Sequence, residues 1–209
     1  MWLQGRREIY QPLDFPEIKE SWKLVRKCTD RFEMMKSFLK EIKLNEGQTY
    51  IDLGCSYGWF VKEMEKQGLK SCGVDRDYFA KDVGLKVYGL SEDQIILSDV
   101  GNFLKKEDKQ YDIVSLFSVL HHYVINKTDT TPEELIKMID KITGKVLFFE
   151  TGQSHEHALK EKLKDWNDDF IINWLKSNTS FKEITILGKD SDNVGDFVDN
   201  YRRTLFACV

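Results

Sequence analysis

The sequence lacks the features that mark several specialised classes of protein. Its four cysteines form no C-x-x-C pair: Cys28, Cys55, Cys72 and Cys208. This scatter disfavours a disulfide framework or a zinc knuckle and favours free thiols in a reducing compartment. No apolar run is long enough to span a bilayer, and the opening stretch MWLQGRREIYQPLDFP lacks the apolar segment of a signal peptide. From these absences we expect a cytoplasmic protein that does not associate with membranes.

An excess of basic charge is also lacking. The 31 Lys and Arg residues are outnumbered by 35 Asp and Glu residues, for a net charge of −4. Such a balance does not provide the basic surface of an extended nucleic-acid binder. With 41% hydrophobic and 32% charged residues the composition is that of an ordinary globular protein. At 209 residues we expect a single domain over residues 1–209.

The hydrophobic periodicity changes near Thr49. Before that residue, apolar side chains recur at helical spacing, and Pro16 and Gly47 are suited to a helix start and a helix stop. We therefore predict a helix over residues 17–44, continuous or broken near Thr29. On this basis residues 1–47 form an N-terminal helical segment and residues 48–209 form the core of the domain.

Short apolar runs alternate with amphipathic stretches after Thr49. The predicted strands are residues 49–53, 70–75, 94–99, 111–117, 145–150, 181–188 and 202–209. The predicted helices are residues 59–67, 78–86, 101–107, 132–142, 157–163 and 169–176. This alternation predicts a parallel sheet covered on both faces, with the last two strands as an antiparallel hairpin at one edge. The polar, acidic stretch 189–200 predicts a mobile loop.

A glycine-rich turn follows the first predicted strand, in TYIDLGCSYGWF (residues 49–60). Gly54 and Gly58 are spaced G-x-x-x-G, with Asp52 ahead of the first glycine. A dinucleotide-binding turn reads G-x-G-x-x-G and holds a pyrophosphate, which the Asp52 carboxylate would repel. The turn therefore disfavours an oxidoreductase that uses a dinucleotide, and it suits a ligand with a cationic ammonium group.

Two further acids end the next predicted strands. Asp75 closes the second strand, where a carboxylate can accept hydrogen bonds from both hydroxyls of a ribose. Asp99 closes the third strand and could meet an adenine amino group. An ammonium, a ribose and an adenine in this order describe S-adenosyl-L-methionine lying along the carboxyl edge of the sheet.

These motifs resemble those of the S-adenosylmethionine-dependent methyltransferases of the Rossmann-like, seven-stranded class. Asp52, Gly54 and Gly58 match the first motif of that family, Asp75 and Asp99 match its next two acids, and YDIVSLFSVLHHY (residues 111–123) matches its fourth motif. The resemblance covers about residues 49–150. It implies an α/β fold, a three-layer Rossmann-like sandwich whose seven-stranded, mostly parallel sheet has an antiparallel last strand, here with N-terminal helices added.

The resemblance also implies how the cofactor is held. Asp52 orients its ammonium group, Gly54 and Gly58 admit its methionine moiety, Asp75 binds the ribose and Asp99 reads the adenine. The predicted cofactor-binding residues are Asp52, Gly54, Cys55, Gly58, Asp75, Arg76, Asp99, Val100, Phe117 and Ser118. Cys55 contributes backbone, as does Val100 or Arg76, and Phe117 and Ser118 line the cofactor past the fourth strand.

The four histidines follow the fourth and fifth predicted strands: His121, His122, His155 and His157. Three interpretations stay open for them. His121 or His122 is a general base, since an imidazole titrates near neutrality; the four cluster as a metal site; or they pack without a chemical role. We take His122 and His121 as candidate catalytic residues and assign no metal. Glu150 and Thr151 end the fifth strand, where Glu150 either faces the methyl acceptor or is a satisfied strand-end carboxylate.

The predicted function is methyl transfer, with an oxygen of a small molecule or of a sugar or glycan as the favoured acceptor. Ser115-Leu116-Phe117-Ser118 stands where relatives that methylate planar amino groups carry an Asn-Pro-Pro-Tyr signature, which disfavours base N-methylation. The alternatives are an RNA or protein methyltransferase, or a partner protein that keeps the fold without catalysis. Arg6, Arg7, Tyr10 and Gln11 could reach the acceptor. The sequence does not indicate an oligomeric state.

Overall fold

A seven-stranded sheet organises the chain. The computed structural model describes residues 8–13, 23–44, 46–126, 128–157, 159–195, 198 and 202–209. The sheet consists of β3 (Thr49–Leu53), β4 (Lys70–Asp75), β5 (Ile95–Leu97), β6 (Tyr111–Phe117), β7 (Thr143–Glu150), β8 (Ile184–Lys189) and β9 (Thr204–Cys208). Two short strands, β1 (Glu8–Ile9) and β2 (Lys23–Leu24), pair in parallel outside it.

The strand order of the sheet is β5-β4-β3-β6-β7-β9-β8. Adjacent strands from β5 to β7 are parallel, and β9 is antiparallel to both β7 and β8. The predicted fold class, with its antiparallel last strand, is therefore confirmed. The chain order reverses between β3 and β6, and open α/β sheets bind ligands outside the carboxyl ends of the strands at such a point.

Helices cover both faces of the sheet. They are α1 (Thr29–Glu41), α2 (Trp59–Lys66), α3 (Tyr78–Val87), α4 (Val100–Leu104), α5 (Leu120–Ile125), α6 (Pro132–Ile142) and α7 (Asp168–Asn178). Apolar residues of α1 and α2 pack on one face, and those of α4 to α7 pack on the other. Local sequence explains several helix starts, because Asp77, Asp99 and Asn167 each cap a helix through the side chain.

The predicted N-terminal helix is wrong over residues 23–28. Residues 17–22 lie outside the described part of the chain, and α1 begins only at Thr29. Instead of helical bonds, Val25 N–H donates to Ile9 and Lys27 N–H donates to Asp192. Cys28 then takes a left-handed conformation with φ 64°. Long-range backbone pairing has replaced the helix that the apolar spacing predicted.

Two further differences concern the second half of the chain. The predicted helix over residues 157–163 is wrong: His157 and residues 159–163 form turns. Short-range hydrogen bonds close these turns without forming a regular helix, and the N–H of Ser154 donates to the carbonyl of Trp166, which joins the two ends of the segment. The short helix α5, which carries His121 and His122, was not predicted from the sequence.

The acidic stretch 189–200 differs from the solvated loop that its composition predicts. Asp190 and Asp192 are 1% exposed. Their carboxylates accept hydrogen bonds from Arg26 and Arg31, which come from the segment that leads into α1. The described part of this stretch is therefore packed into the protein by ion pairs.

Candidate functional site

A cavity of about 480 Å³ opens at the carboxyl edge of the sheet, where the chain order reverses between β3 and β6. Its walls come from the ends of β3, β4, β5 and β6, from α5 and from the N-terminal segment. The residues that line it are Tyr10, Gln11, Arg26, Cys28, Arg31, Asp52, Gly54, Ser56, Phe60, Asp75, Arg76, Asp99, Val100, Phe117, Ser118, Val119, His121, His122, Tyr123, Asn126, Thr128 and Arg203. Eight of the ten predicted cofactor-binding residues are among them, Cys55 and Gly58 being the exceptions.

The glycine turn has the backbone geometry that its sequence predicts. Gly54 and Gly58 have φ values of 82° and 83°, which side chains rarely adopt. A Cβ on Gly54 would lie 2.3 Å from Cγ2 of Val119, at the cavity wall. A Cβ on Gly58 would instead lie 2.6 Å from Cδ1 of Leu90. Gly54 therefore brings bare backbone to the cavity, whereas Gly58 permits the turn to pack closely against Leu90.

Gln11, which lines the cavity, holds this turn in place. Its Nε2 donates to the carbonyl of Cys55 over 3.0 Å, and its Oε1 accepts from the backbone N–H of Trp59 over 3.2 Å. One side-chain amide thus joins the turn to the start of α2. Both polar atoms of the Gln11 side-chain amide are therefore bonded to backbone, which gives Gln11 a structural role rather than a place at the methyl acceptor. Arg6 and Arg7, which were also considered for the acceptor, lie outside the described residues.

Asp52 lies at the floor of the cavity and is 2% exposed. Its Oδ1 accepts a hydrogen bond of 2.6 Å from Ser115 Oγ, which is 2.6 Å from the hydroxyl of Tyr50. Across the described residues, Oδ2 has no hydrogen-bond partner. Burial raises the pKa of Asp52 to about 7, against the lowering effects of Ser115 and of the Arg31 charge. The site therefore presents a buried carboxylate that a cationic group would stabilise.

Asp75 and Asp99 line the same cavity and are held by backbone amides. Asp75 accepts from the N–H of Ser56 over 2.7 Å and from that of Asp77 over 2.9 Å. Asp99 caps α4 through Oδ1, and its Oδ2 lies 3.4 Å from the hydroxyl of Tyr123. A carboxylate offers about four acceptor positions, so both acids keep acceptor capacity toward the cavity.

A buried cluster of arginines and acids forms the opposite wall. Glu150, 0% exposed at the end of β7, contacts Arg26 at 2.8 Å, Arg31 at 3.1 Å and Arg203 at 3.2 Å. Burial alone would raise the pKa of Glu150, but these three guanidinium groups hold it well below its usual value. Glu150 is thus the satisfied strand-end carboxylate that was one of the two interpretations.

Ser118 links the cluster to the cavity. Its Oγ donates to Glu150 over 3.0 Å and accepts from Arg203 over 2.7 Å and from Arg26 over 3.1 Å. Its φ of 60° is unusual for a residue with a side chain. Three hydrogen bonds to buried charges therefore stabilise a sharp turn at the end of β6, next to the predicted cofactor position.

The histidines separate into two pairs. His121 and His122 line the cavity with ring centroids 4.3 Å apart, whereas His155 and His157 are exposed and outside its walls. The cluster of four histidines that was considered as a metal site does not form. Over the described ranges, no three His, Cys, Asp or Glu side chains are grouped so as to hold a metal ion.

His121 and His122 differ in their protonation. Burial and then the charge of Arg203 lower the pKa of His121 to about 3, and its Nδ1 accepts from the N–H of Gly152 over 3.2 Å. His121 is therefore neutral, with its proton on Nε2. The pKa of the more exposed His122 is also lowered, by burial and by Arg76 and Arg203. The lone pair of His121 is engaged, and His122 is the better placed of the two to accept a proton from the cavity.

The three arginines of the opposite wall were not identified from the sequence. They stand in stretches without a motif, at positions 26, 31 and 203, and meet Glu150 across 124, 119 and 53 residues of chain. The alternation of charge signs near the N-terminus carries no signal of their burial.

In the described part of the chain, no helix is long and apolar enough to cross a membrane.

Comparison with known proteins gives a family. A family model described as "Methyltransferase domain" matches residues 29–185. A comparison with the sequences of curated proteins found no match.

Solved structures with a similar fold include three methyltransferases of low sequence identity. WbdD in complex with the kinase inhibitor LY294002 has a TM-score of 0.74 and 15% identity, over 98% of this chain and 46% of the WbdD chain. WbdD is described as a bifunctional kinase–methyltransferase, and this chain spans less than half of its length. An S-adenosylmethionine-dependent methyltransferase from Archaeoglobus fulgidus has a TM-score of 0.58 and 15% identity, over 87% of this chain and 96% of that one. Magnesium protoporphyrin IX methyltransferase from Synechocystis PCC 6803, solved with S-adenosylmethionine bound, has a TM-score of 0.60 and 16% identity, over 86% and 77%.

Proposed function

Because this chain belongs to the methyltransferase-domain family, we propose that it transfers a methyl group from S-adenosyl-L-methionine to an oxygen of a small molecule or glycan. The observation that carries the proposal is a row of three acids at neighbouring strand ends. Asp52 and Asp75 lie at the carboxyl ends of β3 and β4, Asp99 follows β5, and all three line one cavity. Their order is that of an ammonium, a ribose and an adenine along the edge of the sheet.

The residues of the cavity fit this cofactor. The Asp52 side chain lines the cavity, and its Oδ2 has no hydrogen-bond partner among the described residues, so an ammonium group could donate to it. Gly54 provides a wall without a side chain, and Asp75 and Asp99 provide acceptors for hydroxyl and amino groups. When bound, S-adenosyl-L-methionine supplies a sulfonium-activated methyl group, so the difficult chemistry is that of the cofactor.

The protein then has three tasks. The acids and the glycine turn orient the donor, so that an acceptor oxygen can approach at about 3 Å, in a near-attack geometry. The buried rings of Phe60 and Phe117, with centroids 5.0 Å apart, exclude water from one side of the cavity. The hydrogen-bonded turn at Ser118 fixes the end of β6 against which donor and acceptor would meet.

We assign the general base to His122. A hydroxyl acceptor must lose its proton as the new bond to carbon forms, and a neutral imidazole can take that proton. The lowered pKa of His122 keeps the ring neutral at pH 7. His121, whose Nδ1 accepts from Gly152, would support the ring of His122 and fix its position.

A small polar acceptor agrees with the walls near the cavity mouth. Tyr10, Arg76, Asn126 and Thr128 line the cavity and carry groups that hydrogen-bond hydroxyls. The arginines deeper in the cavity are paired with buried acids, so they do not form the open basic surface that a long RNA needs.

Calorimetric titration tests the donor. We expect S-adenosyl-L-methionine and S-adenosylhomocysteine to bind the wild-type protein, and Asp75→Ala to weaken both by at least about 10-fold, the loss of one hydrogen bond to a charged group. Asp108→Ala is the matched control, because Asp108 is an exposed acid outside the cavity walls. Failure of both ligands to bind the wild-type protein would contradict the proposal.

Transfer of a labelled methyl group tests the acceptor. Hydroxylated metabolites, oligosaccharides, an RNA pool and a protein pool would be offered in parallel at pH 8. We expect label in the first two classes. Label confined to RNA or protein would replace the proposed acceptor, and donor binding without label in any of the four classes would favour a non-catalytic partner.

A further inference from the structure

The cavity has two sides of different chemistry. The row of three acids that would hold the donor lies at the ends of β3, β4 and β5, on one side of the sheet. Beyond β3 the sheet continues as β6, β7 and β9. We call the wall at the ends of these three strands, with Ser118, His121 and Arg203, the acceptor wall. Among the described residues that line the cavity, no Asp or Glu belongs to the acceptor wall.

His121 is a hydrogen-bond donor in the acceptor wall. The N–H of Gly152, which lies just past the end of β7, donates to Nδ1 of His121 over 3.2 Å, so the ring stands at the end of that strand. Burial, and then the charge of Arg203, lower the pKa of His121 to about 3. The ring is therefore neutral at every pH near neutrality, and its one proton is on Nε2.

This Nε2–H group has no acceptor among the described residues. His121 is 6% exposed and lines the cavity. Its Nε2 is not one of the buried polar atoms that lack both solvent and a partner, so the surface that remains to this atom opens to the cavity. A ligand oxygen that accepts from Nε2–H would complete its hydrogen bonding.

Arg203 makes the same wall a place for negative charge. It directly precedes β9 and lines the cavity, whereas its acidic partners Glu150 and Glu156 are not among the lining residues. After burial, the charge of Arg203 is the largest influence on the pKa of His121, and it outweighs the opposite effect of Glu150. A ligand in the cavity thus meets the guanidinium in front of its acids, where little water weakens the interaction.

A neutral N–H group beside a fixed cation is complementary to an oxyanion. We propose that His121 and Arg203 bind an anionic oxygen group of the methyl acceptor, a carboxylate or a phosphate. The inference rests on the proposed function and narrows it, because it selects the acids among hydroxylated small molecules and glycans. His122, whose ring centroid is 4.3 Å from that of His121, then faces a hydroxyl close to the anionic group.

Three probes with one carbon skeleton test this class of acceptor. Glycerol, glycerate and glycerol 3-phosphate all carry hydroxyl groups and differ in the group at one end. A hydrogen bond to a charged group corresponds to about 10- to 100-fold in affinity. With S-adenosylhomocysteine bound at pH 8, calorimetry should show at least one of the two acids binding tighter than glycerol by that factor. The tighter of the two identifies the anionic group as a carboxylate or a phosphate.

Nuclear magnetic resonance tests the role of His121 without a mutation. In protein labelled with ¹⁵N-histidine, the Nε2 signal of His121 should move to saturation as the preferred acid is added. The signals of His157, which is exposed and outside the cavity walls, should not move. A His121 signal that stays in place while the acid binds would overturn the assignment.

Variants give the size of the contribution. His121→Phe removes the donor and keeps an aromatic ring, so the preferred acid should bind about 10-fold weaker or more, with a much smaller change for glycerol. His121→Gln, whose amide can donate, should restore part of the loss. His157→Phe is the matched control and should bind the acid as the wild type does. Circular dichroism checks that each variant is folded.

The outcomes separate this inference from the proposed function. If S-adenosylhomocysteine binds but neither acid binds tighter than glycerol, the acidic acceptor is wrong and the methyl donor stays in place. A preference for the acid that is unchanged in His121→Phe would also overturn the inference. If S-adenosylhomocysteine itself does not bind, the proposed function is wrong, and the inference with it.

Discussion

Replacement of Asp52 by asparagine should stabilise the protein while weakening its ligand binding. The buried carboxyl has a pKa of about 7, compared with 3.8 when it is unperturbed. The folded protein therefore holds this proton more tightly than the unfolded chain, so the free energy of unfolding falls as the pH rises from about 4 to 7. Asparagine has nearly the same shape and a carbonyl that can accept from Ser115, but it cannot ionise.

The size of the effect follows from the two pKa values. The two pKa values differ by about 3, and each difference of 1 in pKa is worth about 1.36 kcal/mol, so the effect is about 4 kcal/mol. We expect the stability advantage of Asp52→Asn to grow from about 2 kcal/mol at pH 5 to about 4 kcal/mol at pH 8. For a domain of this size the latter corresponds to a rise in Tm of about 10 °C.

Urea unfolding of the ligand-free protein at the two pH values measures this difference. Asp112→Asn is a control of opposite sign. Although partial burial alone would raise its pKa, hydrogen bonds from Thr49 and the ammonium of Lys145 lower the pKa of Asp112. That variant should lose stability, and by a similar amount at pH 5 and pH 8, because its carboxylate is ionised at both.

A result without pH dependence would refute the reasoning. If Asp52→Asn is no more stable than the wild type at pH 8, the buried carboxylate is solvated or paired in a way that the described contacts do not include. If its advantage is equal at both pH values, the substitution acts through packing rather than through charge.

Three other predictions follow from the same site. Binding of S-adenosyl-L-methionine should release about 0.9 proton at pH 6 as Asp52 ionises, since the amino group of the ligand is already protonated at that pH. Calorimetry in buffers of different ionisation enthalpy measures this release, and its absence would contradict the pKa of about 7. Gly54→Ala should destabilise the protein by about 2 kcal/mol and abolish donor binding, because the added Cβ would lie 2.3 Å from a side-chain atom. The control Gly47→Ala has a similar φ but no atom within 4 Å of the added Cβ, so thermal unfolding should show only the smaller cost of backbone strain. His122→Ala should reduce turnover by about 100-fold with unchanged donor affinity. His157 lies outside the cavity walls, so His157→Ala should keep the wild-type turnover. Similar turnover in the two variants would mean that the ring of His122 only packs.

Much of the fold could be predicted from local pattern. Three predicted strands and α6 have the predicted bounds: Thr49–Leu53, Lys70–Asp75, Tyr111–Phe117 and Pro132–Ile142. These are segments in which the apolar period, the flanking turn residues and the helix cap agree, as with the capping box of Thr131 and Glu134.

The errors lie where long-range contacts compete with that pattern. Residues 23–28 have helical spacing, yet the backbone of Lys27 pairs with Asp192, 165 residues away. The acids at 190 and 192 belong to a stretch whose composition is that of a solvated loop, and they are buried because arginines from the N-terminal segment meet them. Composition indicates whether a stretch by itself favours solvent, but it does not indicate which distant residues will pair with it and bury it.

The candidate site divides in the same way. By itself the sequence determined one side of the cavity. Asp52, Asp75 and Asp99 stand at or just after strand ends, and parallel strands bring their carboxyl ends to one edge whatever else the chain does. The tertiary structure alone decided the opposite wall, where Arg31 and Glu150 meet although no local rule connects them. The physical reason is that a strand end is positioned by the hydrogen bonds of its own sheet, whereas a buried ion pair forms only when two distant segments lose their water together.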